Sequence, residues 1–199
     1  MPRLLAALLI LCVAVGFAHA EDSPVIKFPS PDGRFALQIT KPSGDTGGPQ
    51  TAALIEKSSG KVLVPLGDIY GSHVNDTVLV WSADSKWAAY GTRGDKEGET
   101  DIYFWNGSSF DTIPLPETLP DPKINFGKKG EGDVKNYGGA IKPLRWLKTG
   151  ELECSSDLMM LSRSNGKTYT GSVTFTLAFD TQHHATVKHV GRTKTKVED

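Results

Sequence analysis

Along most of the chain, apolar and polar residues alternate in short runs, and Gly, Pro, Ser, Asn and Asp separate the runs. Alternation with a period of two marks a strand with one buried face, and those five residue types close tight turns. Helical periodicity is scarce, so strands are expected to build the core. The pattern predicts strands over residues 25–28, 34–40, 51–56, 61–66, 77–81, 86–91, 101–105, 110–115, 141–146, 151–155, 169–179 and 185–190. Several connections have definite turn chemistry. In Pro31-Asp32-Gly33, Pro presets φ, Asp bonds the backbone downstream and Gly accepts a positive φ. Asn106-Gly107 is a hairpin signal. Ser58-Ser59-Gly60 and Asp180-Thr181-Gln182 hold the matching places elsewhere.

The turns recur. Ser30-Pro31-Asp32-Gly33-Arg34-Phe35-Ala36 matches Ser82-Ala83-Asp84-Ser85-Lys86-Trp87-Ala88, and Val64-Pro65-Leu66 matches Ile113-Pro114-Leu115. A weaker copy, Trp146 to Leu152, lines up with Trp81 to Trp87. Each copy has the same layout of four strands, which gives repeats over about 24–66, 77–115 and 141–190. Asp32 and Asp84 could pass for catalytic carboxylates, but their recurrence at one turn assigns them to local backbone bonding. Cys154 falls in the column of Leu37 and Ala89 and is expected to be a buried thiol.

The stretches SPDGRFALQI, WSADSKWAAYGT and TDIYFWNGSSF resemble the repeats of TolB-type β-propellers. The resemblance covers most of residues 24–115 and, more weakly, 141–190, where Thr149-Gly150 replaces Asp-Gly. It implies a binding platform, or the non-catalytic part of a larger assembly. Closed propellers have about 4–8 blades. The expectation is therefore an all-β domain over 21–190, built of three four-stranded propeller-like antiparallel modules. A two-layer β-sandwich is the alternative, and a homodimer through open blade edges is a possible partner arrangement.

The N-terminus changes the picture. Arg3, the apolar run from Leu4 to Phe17 and the small residues of Ala18-His19-Ala20 form a signal-peptide pattern over 1–20, cut after Ala20. The run is shorter than the ~20 residues of a membrane span. Cys12 follows Leu9-Ile10-Leu11 and lacks the small residues of a lipidation site. The product is expected to be secreted or periplasmic, with no integral membrane span. Cleavage removes only Arg3 among the charged residues, which takes the net charge from −1 to −2. A near-neutral chain lacks the basic footprint of a nucleic-acid binder. Cys154 is then the sole cysteine, so no internal disulfide forms. The polar tail, 191–199, is expected to fray.

Strand parity places the short turns at one end of the modules. The longer connections, 41–50, 67–76, 92–100, 116–140 and 156–168, gather at the other, which becomes the expected binding face. Lys135, Asn136 and Tyr137, in KKGEGDVKNYGG, are the leading contact residues on it, with Arg93 and His73. Asp95, Glu97, Glu99 and Asp101 alternate, and Ca²⁺ takes 6–8 oxygen ligands. Arg93 and Lys96 dilute that charge, however, and the spacing departs from the EF-hand pattern, so no cofactor is expected. His183 and His189 share a strand face but stand ~20 Å apart, too far to share a metal. Nucleophile motifs such as G-x-S-x-G, S-x-x-K and H-E-x-x-H are absent from the sequence. Trp81, Trp87, Tyr103, Trp105 and Trp146 recur at strand positions that suit core packing. Asn75-Asp76-Thr77 and Asn106-Gly107-Ser108 match the N-glycosylation sequon. The functional expectation is an exported, non-catalytic protein that binds a protein or glycan through its long loops. The alternative is a small exported hydrolase or metal-dependent enzyme using the same loops.

Overall fold

The repeated turn is one hydrogen-bonded unit, made twice. Asp32 Oδ1 accepts from the Ser30 hydroxyl at 2.7 Å and from the Arg34 amide at 3.0 Å, while Ser30 Oγ accepts from the Phe35 amide at 3.0 Å. Asp84 Oδ1 accepts likewise from Ser82 at 2.6 Å and from the Lys86 amide at 3.0 Å, and Ser82 Oγ accepts from the Trp87 amide at 2.9 Å. Both aspartates are turn residues. The computed structural model describes residues 23–42, 48–93, 97–126 and 134–198; the segment 1–20, expected to be a signal peptide, and Asp95 lie outside them.

Burial works to raise the Asp32 carboxyl, but the Arg34 amide, the Ser30 hydroxyl and the Arg34 guanidinium outweigh it and bring it down to about 2. This value lies below its ordinary 3.8, so the stabilisation is complete above about pH 4 and is lost as the pH falls through about 2. Asp32→Asn is expected to melt earlier than the parent at pH 7 and to lose less on acidification from pH 4 to pH 2. Melting curves across that window check this, and parallel curves would contradict it.

The third turn is one residue shorter. Ser82 N–H donates to the Trp87 carbonyl, whereas Leu147 N–H donates to that of Glu151. Trp81 pairs with Ala88 and Trp146 with Leu152, so Leu152 occupies the place of Ala88 rather than that of Trp87. Cys154 thereby leaves the column of Ala89. It is still fully buried, and burial, then the nearby Glu153 charge, pushes its thiol up to about 12. A thiol held protonated in an apolar setting is a poor nucleophile.

The strands are β1 (Val25–Lys27), β2 (Phe35–Thr40), β3 (Gln50–Glu56), β4 (Val62–Ile69), β5 (Val78–Trp81), β6 (Trp87–Arg93), β7 (Glu97–Trp105), β8 (Phe110–Ile113), β9 (Val134–Trp146), β10 (Leu152–Ser162), β11 (Thr168–Phe179), β12 (Ala185–Val190) and β13 (Lys194–Glu198). A 3-10 helix over Gly71–Asn75 separates β4 from β5. The chain is all-β in its sheets. Strands β1–β4, β5–β8 and β9–β12 each form an antiparallel meander in chain order. The second and third meanders are not separate modules, however. The start of β7 pairs in parallel with β9 through Glu97–Gly139 and Gly98–Ala140, which merges them into one nine-stranded sheet.

Alternation decides which side of each strand is buried. Ala88, Tyr90 and Tyr103 face a core shared with Phe35, Leu37, Ile39 and Leu54 of the first meander. Their neighbours Ala89 and Ile102 face a second core with Leu152, Cys154, Phe175 and Leu177 of the third. The middle meander is therefore apolar on both faces. An indole bond recurs at each junction. Trp81 Nε1 donates to the Phe28 carbonyl at 2.8 Å, and Trp146 Nε1 donates to the Val80 carbonyl at 3.2 Å. Phe28 and Val80 each stand two residues before a turn serine. The aromatic packing recurs as well. Trp81 stacks on Phe35 at 5.9 Å with Trp105 and Phe110 around it, and Trp146 packs on Trp87 at 5.7 Å with Phe179 beside it.

Several expected loops are strands. Residues 156–162 extend β10, and the predicted connection 92–100 is largely β6 and β7. The expected long loop 116–140 divides. Its last part is β9, while Pro122 and Ile124 pass over Gly171, where a Cβ would stand 2.8 and 2.5 Å from them. The tail does not fray through 194–198, because β13 pairs with Thr168–Ser172 of β11 along the edge that β12 began. At the opposite extreme, the edge strand β4 carries Pro65 and two register shifts, features that blunt strand addition.

Candidate functional site

Polar and small residues extend β9 backwards from Ile141 because β10 offers a continuous ladder. Ser162 pairs with Val134, Leu161 with Lys135 and Met160 with Asn136. The register then slips, since Met159 pairs with Gly138, and Tyr137 is the extra residue. A bulge of this kind bends the strand and re-aims a side chain. Asn136 supports it, its Oδ1 accepting the Gly138 amide at 2.9 Å. Tyr137 is left 48% exposed. Small residues then let β7 close in. A Cβ on Gly98 would lie 2.7 Å from that of Ala140 and 2.9 Å from the Thr92 carbonyl oxygen, and a Cβ on Gly139 would lie 3.0 Å from the Asp157 carbonyl oxygen.

The result is a cleft of about 240 Å³ at the meeting of β7, β9 and β10. Gly138, Gly139 and Ala140 contribute little side chain to its lining. Glu97, Tyr137, Lys142, Asp157 and Met159 line it further, with Thr170 from β11. The Lys142 ammonium and the Asp157 carboxylate are paired at 3.0 Å, each about one-third exposed. The cleft is thus lined by an ion-paired ammonium and carboxylate, a threonine, Tyr137 and, from β7, Glu97.

The structure brings Tyr137 and Glu97 together from the sequence-predicted residues. Lys135 and Asn136 are exposed on β9 but do not line the cleft, and Asn136 acts through the bulge. Arg93 ends β6, where its backbone pairs with Gly98. His73 sits in the 3-10 helix with its Nδ1 3.8 Å from Asp76, away from the cleft lining. Glu97, Glu99 and Asp101 are exposed alternate residues of β7. Burial, then the charge of Glu99, raises the Asp101 carboxyl. Burial and the Asp101 charge raise Tyr90 to about 12, and the same two causes with Tyr90 raise Tyr103. Both phenols belong to the first core. Among the described residues, no group of three or more His, Cys, Asp or Glu side chains converges as metal ligands would. His183 packs against Phe104 and Trp87, while His184 pairs with Asp180. Asn106 is engaged in its turn through Ser109 and Asp111.

Sequence reasoning missed Lys142, which read as an ordinary strand residue, and Asp157 and Met159, which fell in the expected connection 156–168. The signal available was Tyr137-Gly138-Gly139, an aromatic beside residues too small to cover a neighbouring strand. No helix among the described residues is long and apolar enough to cross a membrane. Comparison with family models, with curated proteins and with solved structures finds no match for the chain.

Proposed function

We propose that this is an exported, non-catalytic binding protein on a propeller-like scaffold, and that it holds a protein or glycan partner at the cleft beside Tyr137. The observation that carries the reading is the cleft itself, lined by Tyr137, the extra residue of a bulge, by Gly138–Ala140 and by the Lys142–Asp157 pair. Small-ligand sites commonly combine a concave surface, apolar or aromatic lining and a few fixed polar groups. Residues 134–140, 156–162 and the described part of 92–100, which were first expected as loop, are strands, so the proposed site lies on the sheet. Export rests on the sequence pattern of residues 1–20.

The test is retention of residues 21–199 on an immobilised panel of oligosaccharides and peptides, parent against Tyr137→Ala. At least one panel member is expected to hold the parent, to lose Tyr137→Ala, and to show an unchanged mass after elution. Equal retention of both proteins, retention of neither, or a cleaved panel member would overturn the proposal.

A further inference from the structure

We infer that the cleft receives one pyranose ring of a neutral glycan. This inference rests on reading the cleft as a binding site and adds the class of ligand. Its size is the first argument. About 240 Å³ lies just below the range of roughly 300–1,000 Å³ usual for drug-sized pockets, which suits a single sugar ring. Its shape is the second. Gly138, Gly139 and Ala140 leave a shallow floor against which a flat ring can lie, and Tyr137 supplies an aromatic surface for the apolar C–H face of a sugar.

The polar lining selects further. Glu97 and Asp157 accept hydrogen bonds, Lys142 donates them, and Thr170 does both. Each hydroxyl of a sugar is at once a donor and an acceptor. Two adjacent hydroxyls can therefore take a bond from the Lys142 ammonium and give one to the Asp157 carboxylate. These two groups already hold each other at 3.0 Å, so part of the ordering cost is met before binding. The formal charge of the lining is one positive against two negative, which disfavours a phosphate, a sulfate or a uronic acid. A cationic side chain is the competing occupant, because the same carboxylates would attract it.

The experiment is a titration of ¹⁵N-labelled residues 21–199 with methyl hexopyranosides of glucose, galactose, mannose and N-acetylglucosamine. The comparison ligand is N-acetyl-lysine methylamide. At least one glycoside is expected to move the amide signals of residues 137–142 and 157–159 while the lysine amide leaves them in place. Tyr137→Ala is expected to weaken that glycoside about tenfold, and Tyr137→Phe, which keeps the ring, to bind within about twofold of the parent. Shifts from the lysine amide alone would overturn the sugar and leave the binding site standing. Shifts from neither, with the spectrum still that of a folded protein, would remove both.

Discussion

Trp146→Ala is expected to detach the third meander from the second and to lower the global stability by about 3 kcal/mol. Trp146 packs against Trp87 at 5.7 Å and Phe179 at 5.5 Å, and its indole N–H reaches the Val80 carbonyl at 3.2 Å. Truncation removes the ring, opens a void beside Trp87 and Phe179, and leaves that carbonyl without its indole donor. At this chain length the loss corresponds to a fall in Tm of roughly 10 °C. Trp146→Phe separates the contributions, since it keeps most of the packing and gives up the hydrogen bond, for a loss of about 1 kcal/mol. Trp81→Phe should cost a similar amount, because Trp81 makes the corresponding bond to Phe28 at the first junction. A double-mutant cycle of Trp146→Ala with Trp87→Ala should give a coupling of about 0.5–1.5 kcal/mol. Additive losses would mean that the two rings do not meet in solution.

Gly91→Ala is the second expected large loss, about 2 kcal/mol from a single added methyl group. Gly91 lies on β6 opposite Val78, and a Cβ there would stand 2.6 Å from Cδ of Pro143 on β9. Val78 Cγ1 closes the other side at 3.0 Å. A proline ring cannot rotate out of the way, so β6 and β9 must part or the backbone must shift. Removing the obstacle should undo the damage. Gly91→Ala with Pro143→Ala is expected to recover most of what Gly91→Ala alone loses, as measured by denaturant midpoint. Losses that simply add would show that Pro143 is not the atom group in contact.

The sequence announced much of this architecture because the turns are local chemistry. Ser30 with Asp32, and Ser82 with Asp84, close their turns within six residues, and the intervening strands follow the alternation that buries Leu37 and Ala89. The paired tryptophans were legible as core for the same reason. What the sequence hid depends on distant pairing. Residues 134–140 and 194–198 carry too many polar or small residues to read as strands, and 156–162, with Leu158 to Leu161 in an unbroken apolar run, lacks alternation; yet each has a neighbouring strand to bond with. Residues 156–161 are bonded on both sides, and 134–138 and 194–198 on one, so a ladder serves the backbone in each without alternation of the side chains. The third turn shows how one residue can mislead an alignment. With Thr149-Gly150 in place of the longer turn, Cys154 moves from the column of Ala89 to that of Tyr90 and is still buried, because both columns face a core.

The site was legible in Tyr137, which stood out as an aromatic among glycines and charged residues with no core pattern around it, and in Glu97 only as one member of an acidic series. That these two meet, and that Asp157 and Met159 from β10 and Thr170 from β11 join them, was not visible because they come from four different strands. The parallel contact of β7 with β9, which gathers them, rests on Gly98 and Ala140, two residues that sequence patterns treat as fillers.

The most direct measurement is the position of a bound ligand. Residues 21–199, saturated with whichever panel member or glycoside they retain, can be examined by intermolecular NOEs or by co-crystallisation. The account predicts ligand atoms against the Tyr137 ring and within hydrogen-bond distance of Lys142 or Asp157. A ligand seated elsewhere, for example over the turns at Asp32 and Asp84 or along the edge formed by β12 and β13, would contradict it.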